Sequence, residues 1–154
     1  MNYSHFAKQL DITRGNLYKV LESVSETSAD KQSVGFSNTI RWNVGHILTV
    51  AEMFIFNNLQ TSGLPKEYTS LFAPGTKPSD WTGELIPLST LLAQLQDQVV
   101  RIKQHVEIYS DETLPEPLKL GPVLQLNSMG EVCNLALYHE AMHTGFTHAL
   151  KRIV

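Results

Sequence analysis

The chain has 154 residues, 42% of them hydrophobic, and a formal net charge of -3, which suits a single domain, 1–154, with one sizeable core. That charge offers no basic footprint for a nucleic-acid backbone, and no apolar run is long enough to span a bilayer. Met1-Asn2-Tyr3-Ser4-His5 lacks the charged-then-apolar layout of a secretion signal and Cys133 is the only cysteine, so the expected compartment is the reducing cytoplasm.

Four stretches carry helical periodicity, and almost nothing alternates with period two over a useful length. The first, 4–25, places Phe6, Leu10, Leu17, Val20, Leu21 and Val24 near one face, with most charges elsewhere. The second starts at an N-cap, Ser37 or Asn38, and runs to about Asn58 with only Arg41 and Glu52 charged, so it should be covered on several sides. The third, from Pro87 to Tyr109, repeats leucine, valine and isoleucine at spacings of three and four. The fourth opens on Ser128-Met129-Gly130-Glu131, in which serine and glutamate can reciprocally satisfy amide donors, and continues to the C-terminus.

The expected fold is therefore all-α, a four-helix bundle. Residues 29–36 form a short link, whereas 59–86 contain Gly63, Pro65, Pro74, Gly75, Pro78 and Gly83 and break any continuous helix. A connection of that length can cross the end of the bundle and let the second and third helices run parallel, pinned by Leu71, Phe72 and Trp81. Residues 110–127, with Pro115, Pro117 and Pro122, read as a second long link.

The fourth helix carries the chemistry. Val132, Ala136, His139, His143, Phe146 and Leu150 share a stripe, so two imidazoles one turn apart should face inward, where each ring needs a partner. Hydrogen bonds to backbone or carboxylate would satisfy them separately, whereas a first-row divalent ion would satisfy both at once. His139-Glu140-Ala141-Met142-His143 also spells the zinc-protease signature. The extended form of that signature would put a glycine and a histidine where this chain has Phe146 and Ala149, and no acidic residue follows His143. An all-helical domain also lacks a strand edge to hold a peptide, so the motif keeps its metal meaning and loses proteolysis.

A third ligand must then lie upstream, at His5, His46 or His105. His46 follows Gly45, which allows close backbone approach, but it sits about 120° from the centre of its helix's apolar stripe, so spacing leaves it equally readable as a boundary histidine. Phe36-Ser37-Asn38-Thr39-Ile40-Arg41-Trp42-Asn43-Val44-Gly45-His46-Ile47, followed downstream by Tyr138-His139-Glu140-Ala141-Met142-His143-Thr144-Gly145, resembles the DinB/YfiT-like superfamily of bacterial proteins over essentially the whole chain. The resemblance implies a four-helix bundle, often a homodimer, with a divalent metal, zinc or nickel, held by His46, His139 and His143. It also implies an enzyme that uses a low-molecular-weight thiol, such as bacillithiol or mycothiol, against a small electrophile. A metal-dependent hydrolase and a non-catalytic stress-associated bundle with a structural metal are the alternatives.

Other residues near the motif carry weaker expectations. Glu140 is a candidate general base, ligand-orienting group or surface ion-pair partner, and Asn43, one turn before His46, can contact a bound molecule or a neighbouring helix. Trp42, Trp81 and Tyr138 can line a pocket but suit core packing better, and Cys133 reads as a small packing residue.

Overall fold

The structure, a computed structural model describing residues 2–56, 62–109 and 111–154, has four long helices: α1 (Tyr3–Leu21), α3 (Ile40–Phe56), α5 (Leu88–Tyr109) and α6 (Met129–Lys151). Two short helices, α2 (Glu26–Ala29) and α4 (Glu67–Phe72), lie in the connections. The expected end of the second long helix near Asn58 falls outside the described residues. No helix among the described residues is long and apolar enough to cross a membrane.

The helix starts follow local chemistry, once with a correction. Ser128 Oγ accepts from the Glu131 amide while the Glu131 carboxylate accepts from the Ser128 amide, which is the expected capping box of α6. At α3 the capping side chain is neither Ser37 nor Asn38: Thr39 Oγ1 accepts from the Trp42 amide at 3.2 Å. The first expected helix also ends early, at Leu21, because Ser25 starts α2 with a capping box of its own.

Contacts between helices set their directions. Along α3 and α5, Leu48 meets Gln98, Glu52 meets Arg101 and Phe56 meets His105, so residue numbers rise together and the two helices run parallel. Between α3 and α6, Asn43 meets His143 and His46 meets His139, the antiparallel order. Residues 62–86, which include α4 and a 3-10 turn at Pro78–Asp80, therefore serve as the long crossover. Phe72 is the buried pin of this crossover, and the Trp81 indole donates to the Leu71 carbonyl at 3.0 Å.

The link expected at 110–127 is largely a β-hairpin, β1 (Thr113–Leu120) and β2 (Leu124–Ser128), turning through Gly121 at φ +63°. Its alternation of Leu114, Leu118 and Leu120 was masked in sequence by Pro115 and Pro117, which donate no amide hydrogen. The ladder is irregular at those prolines, between the pairs Thr113↔Ser128 and Leu118↔Leu126. Leu114 and Leu126 nevertheless bury against the bundle, with Val106, Met129 and Cys133.

The bundle interior has two apolar clusters. One gathers Phe6, Leu10, Ile55, Ile102 and Val132, and the other Leu17, Ile40, Ile47, Leu91, Leu95 and Leu150. Buried polar side chains lie at intermediate positions along the helices: Arg14, Asn43, His46, Glu52, Gln98 and Glu140. The three histidines belong to this level.

Candidate metal centre

His46 projects from α3 toward α6, where His139 and His143 stand one turn apart. The ring centroids are separated by 5.0 Å for His46 and His139, 4.6 Å for His46 and His143, and 4.5 Å for His139 and His143. His46 is buried and the other two are half-buried, so the cluster is shielded on one side and open on the other.

Two of the rings have their tautomers dictated by neutral neighbours. His46 Nδ1 lies 2.6 Å from the Phe72 carbonyl oxygen, which can only accept, so Nδ1 carries the hydrogen and Nε2 keeps its lone pair. His143 Nδ1 lies 2.8 Å from Asn43 Oδ1, and Asn43 Nδ2 donates to the Thr39 carbonyl at 2.8 Å. That second bond orients the Asn43 amide so that its oxygen faces His143, which again leaves Nε2 bare. The Trp42 indole stacks on His46 at 4.3 Å and 16°, restricting the ring further.

Protonation favours the same state. Burial, then the neighbouring imidazoles His143 and His46, push His139 down to about 3, and burial followed by His46 pushes His143 down to about 4. His46 is lowered by burial, partly opposed by its bond to Phe72. All three rings are thus neutral ligands near pH 7.

The donor set fits a divalent cation. One ligand atom from each histidine lies within 4.8 Å of the others, and His46 Nε2 and His139 Nε2 are 3.2 Å apart. With the lone pair of His46 Nε2 bare, His139 Nε2 can donate to it at that distance, and a tetrahedral ion with bonds of 2.0–2.1 Å to nitrogen separates its ligands by roughly 3.3 Å, nearly the same spacing. Nitrogen donors suit zinc or nickel among the divalent metals.

Other candidates resolve differently. Asn43 meets His143 through Oδ1 and the Thr39 carbonyl through Nδ2, so it makes the interhelical contact that positions His143. Glu140 is neither at the surface nor beside the imidazole nitrogens: it is 3% exposed, and Arg14 Nε lies 2.6 Å from its Oε1. Burial raises its carboxyl and Arg14 opposes that shift. Trp42 lines the site, Tyr138 is exposed, and Trp81 packs over Phe72. Burial pushes the Cys133 thiol up to about 12, which fits packing and not nucleophilic attack. His5 and His148 are exposed, and His105 packs between Phe56 and Tyr109.

Three contributors lay outside the sequence reading: Arg14, Thr39 and Phe72. In the sequence Arg14 is one of several charges on an amphipathic helix, with no local signal of its burial. Thr39 is visible in hindsight, four residues before Asn43. Phe72 acts through its backbone carbonyl, for which no side-chain signal exists. Its ring also explains Gly45, since a Cβ there would overlap the Phe72 side chain.

The sequence profile of the DinB superfamily matches residues 9–146. No curated protein matches the chain significantly. Among solved structures, the crystal structure of a conserved protein from Enterococcus faecalis is similar in fold, with a TM-score of 0.73, 16% identity, and coverage of 100% of this chain and 97% of that one.

Proposed function

We propose that this chain, which belongs to the DinB superfamily, is a metal-dependent thiol S-transferase whose cosubstrate is a low-molecular-weight thiol and whose second substrate is a small electrophile. The supporting observation is the set of three neutral imidazoles, two of them oriented by neutral acceptors at 2.6 and 2.8 Å. A zinc or nickel ion held by three uncharged ligands keeps its full positive charge and favours a thiol in its thiolate form.

Two features favour this reading over the alternatives. Three protein ligands, two of them half-buried, leave room for an exchangeable fourth, whereas structural sites are closed by four protein ligands. Among the described residues no carboxylate joins the three histidines, and Glu140 is occupied by Arg14. A hydrolase wants a base to take a proton from water, whereas a thiol is acidic enough to dispense with one.

The residues around the triad supply position and enclosure. Phe72 and Asn43 hold two rings in place, and Trp42 covers one face of His46. One turn along α3 from His46, a cavity of about 370 Å³ has a lining that includes Thr49, Glu52, Met53, Leu64, Lys66 and Tyr68. Its lining mixes apolar, hydroxyl and charged groups, which suits a small polarised electrophile. A homodimer is part of the same proposal and is read by light scattering on the eluting peak.

Metal analysis of untagged protein should find close to one divalent ion per chain. Bacillithiol, or glutathione in its place, mixed with a general aromatic electrophile should give a rate that disappears with chelator and returns with metal. Saturating thiol with no metal-dependent rate above background would sink the transferase reading, and full metal content in a His139→Ala, His143→Ala variant would sink the site.

A further inference from the structure

Glu140 lies between the two metal-ligand candidates of α6, yet its carboxylate belongs to a buried network that reaches every long helix. Arg14 of α1, 1% exposed, approaches Glu140 Oε1 at 2.6 Å through Nε, donates to the Leu95 carbonyl through Nη1 at 2.9 Å, and donates to Gln98 Oε1 through Nη2 at 2.8 Å. Gln98 of α5, fully buried, passes the connection to α3: its Nε2 donates to the Leu48 carbonyl at 2.9 Å and to Glu52 Oε2 at 2.7 Å. Arg101 closes the chain on Glu52 at 2.8 and 3.1 Å.

We propose that the Arg14 and Glu140 pair is a positioning device that sets the rotation of α6, and thereby holds His139 and His143 toward His46. The inference rests on the three-histidine reading of the site. Around the helix, Glu140 is about 100° from His139 and about 60° from His143, so turning α6 enough to unpair Glu140 carries both imidazoles off the triad. Apart from Glu140, Arg14 is held at two points on α5 and cannot follow such a turn. The anchor is therefore a close ion pair fixed from the α5 side.

Stability alone does not account for the pair. Two charges taken out of water lose much of their attraction to desolvation, and apolar side chains of similar volume often serve a core as well or better. What an apolar pair lacks is a preferred direction, because dispersion contacts tolerate small rotations of one helix against another. A triad whose nitrogens must meet one ion is sensitive to such rotations.

The test uses Co²⁺ as a visible probe of the full-length protein, with affinity and the d–d absorption spectrum as readouts. Glu140→Gln keeps the shape of the side chain and removes its charge. The double variant Arg14→Met, Glu140→Leu removes both charges and should remain folded even if the single variant does not. In the double variant the Co²⁺ Kd should rise at least tenfold, and the spectrum at saturation should change in band position or intensity, while thermal unfolding of the metal-free protein occurs at the wild-type temperature or above. A purely structural pair would lower the melting temperature of the double variant and leave the saturated spectrum as in wild type. Wild-type affinity and spectrum in the folded double variant overturn the positioning role alone; no Co²⁺ binding by wild type overturns the metal centre, and the positioning role with it.

Discussion

Two polar clusters share the middle of this bundle, and they are built on opposite principles. On the side of α6 that faces α3, three histidines meet without a compensating charge, and their partners are a backbone carbonyl and an amide oxygen. On the side that faces α1, Glu140 meets Arg14, and the network extends through Gln98 to a second acid and base, Glu52 and Arg101. The charged cluster is closed within the protein. The neutral cluster gathers three uncharged imidazoles whose inner nitrogens face one another, His46 Nε2 and His139 Nε2 at 3.2 Å, which is the condition for holding an ion from outside. Burying polar groups is thus not the distinguishing property; the distinction lies in whether the protein completes them.

The largest expected effect breaks the closed cluster. Arg14→Ala leaves a buried carboxylate without its counter-charge and should destabilise the protein by about 3–5 kcal/mol, read by urea unfolding. A loss under about 1 kcal/mol would mean that water already reaches Glu140. The open cluster responds to its guest instead: chelation should lower stability by about 2.7 kcal/mol when compared with protein held in metal at 100 times the Kd. The His139→Ala, His143→Ala variant should show no such difference.

Acid separates the clusters next. For His139 and His143 the folded-state values, about 3 and about 4, lie below the ordinary value of 6.5. The unfolded chain then binds more protons in the interval, so their stability contribution is complete above about pH 6.5 and is lost as pH falls through the window toward 4 and 3. Unfolding of the metal-free protein between pH 7.5 and 4.5 should show this slope, and the double alanine variant should show a shallower one. Equal slopes would mean the rings are not buried neutral. The smallest effect is expected from Asn43→Leu, which keeps volume but frees His143 Nδ1; metal affinity should fall about tenfold, or about 1.4 kcal/mol, by titration calorimetry.

Much of the architecture was readable because its signals are local. Periodicity placed the four long helices, Ser128 and Glu131 marked the start of α6, and the proline- and glycine-rich 59–86 stretch announced a crossover that the parallel α3 and α5 require. The hairpin escaped because Pro115 and Pro117 interrupt the ladder and its leucines alternate only weakly. In the site, the pair His139 and His143 follows from helical spacing, whereas His46 stood at an ambiguous angle of its own helix and gained its meaning only from resemblance.

The sequence by itself determined which faces of the helices are apolar and that two imidazoles share one turn of α6, because both depend on spacing along a single element. Only the tertiary structure decided what Glu140, Asn43 and Gly45 do. Glu140 meets an arginine 126 positions earlier, Asn43 a histidine 100 positions later, and Gly45 the ring of Phe72. Which atom completes a buried polar group is a property of neighbouring helices, and it comes into existence when their directions and rotations are set.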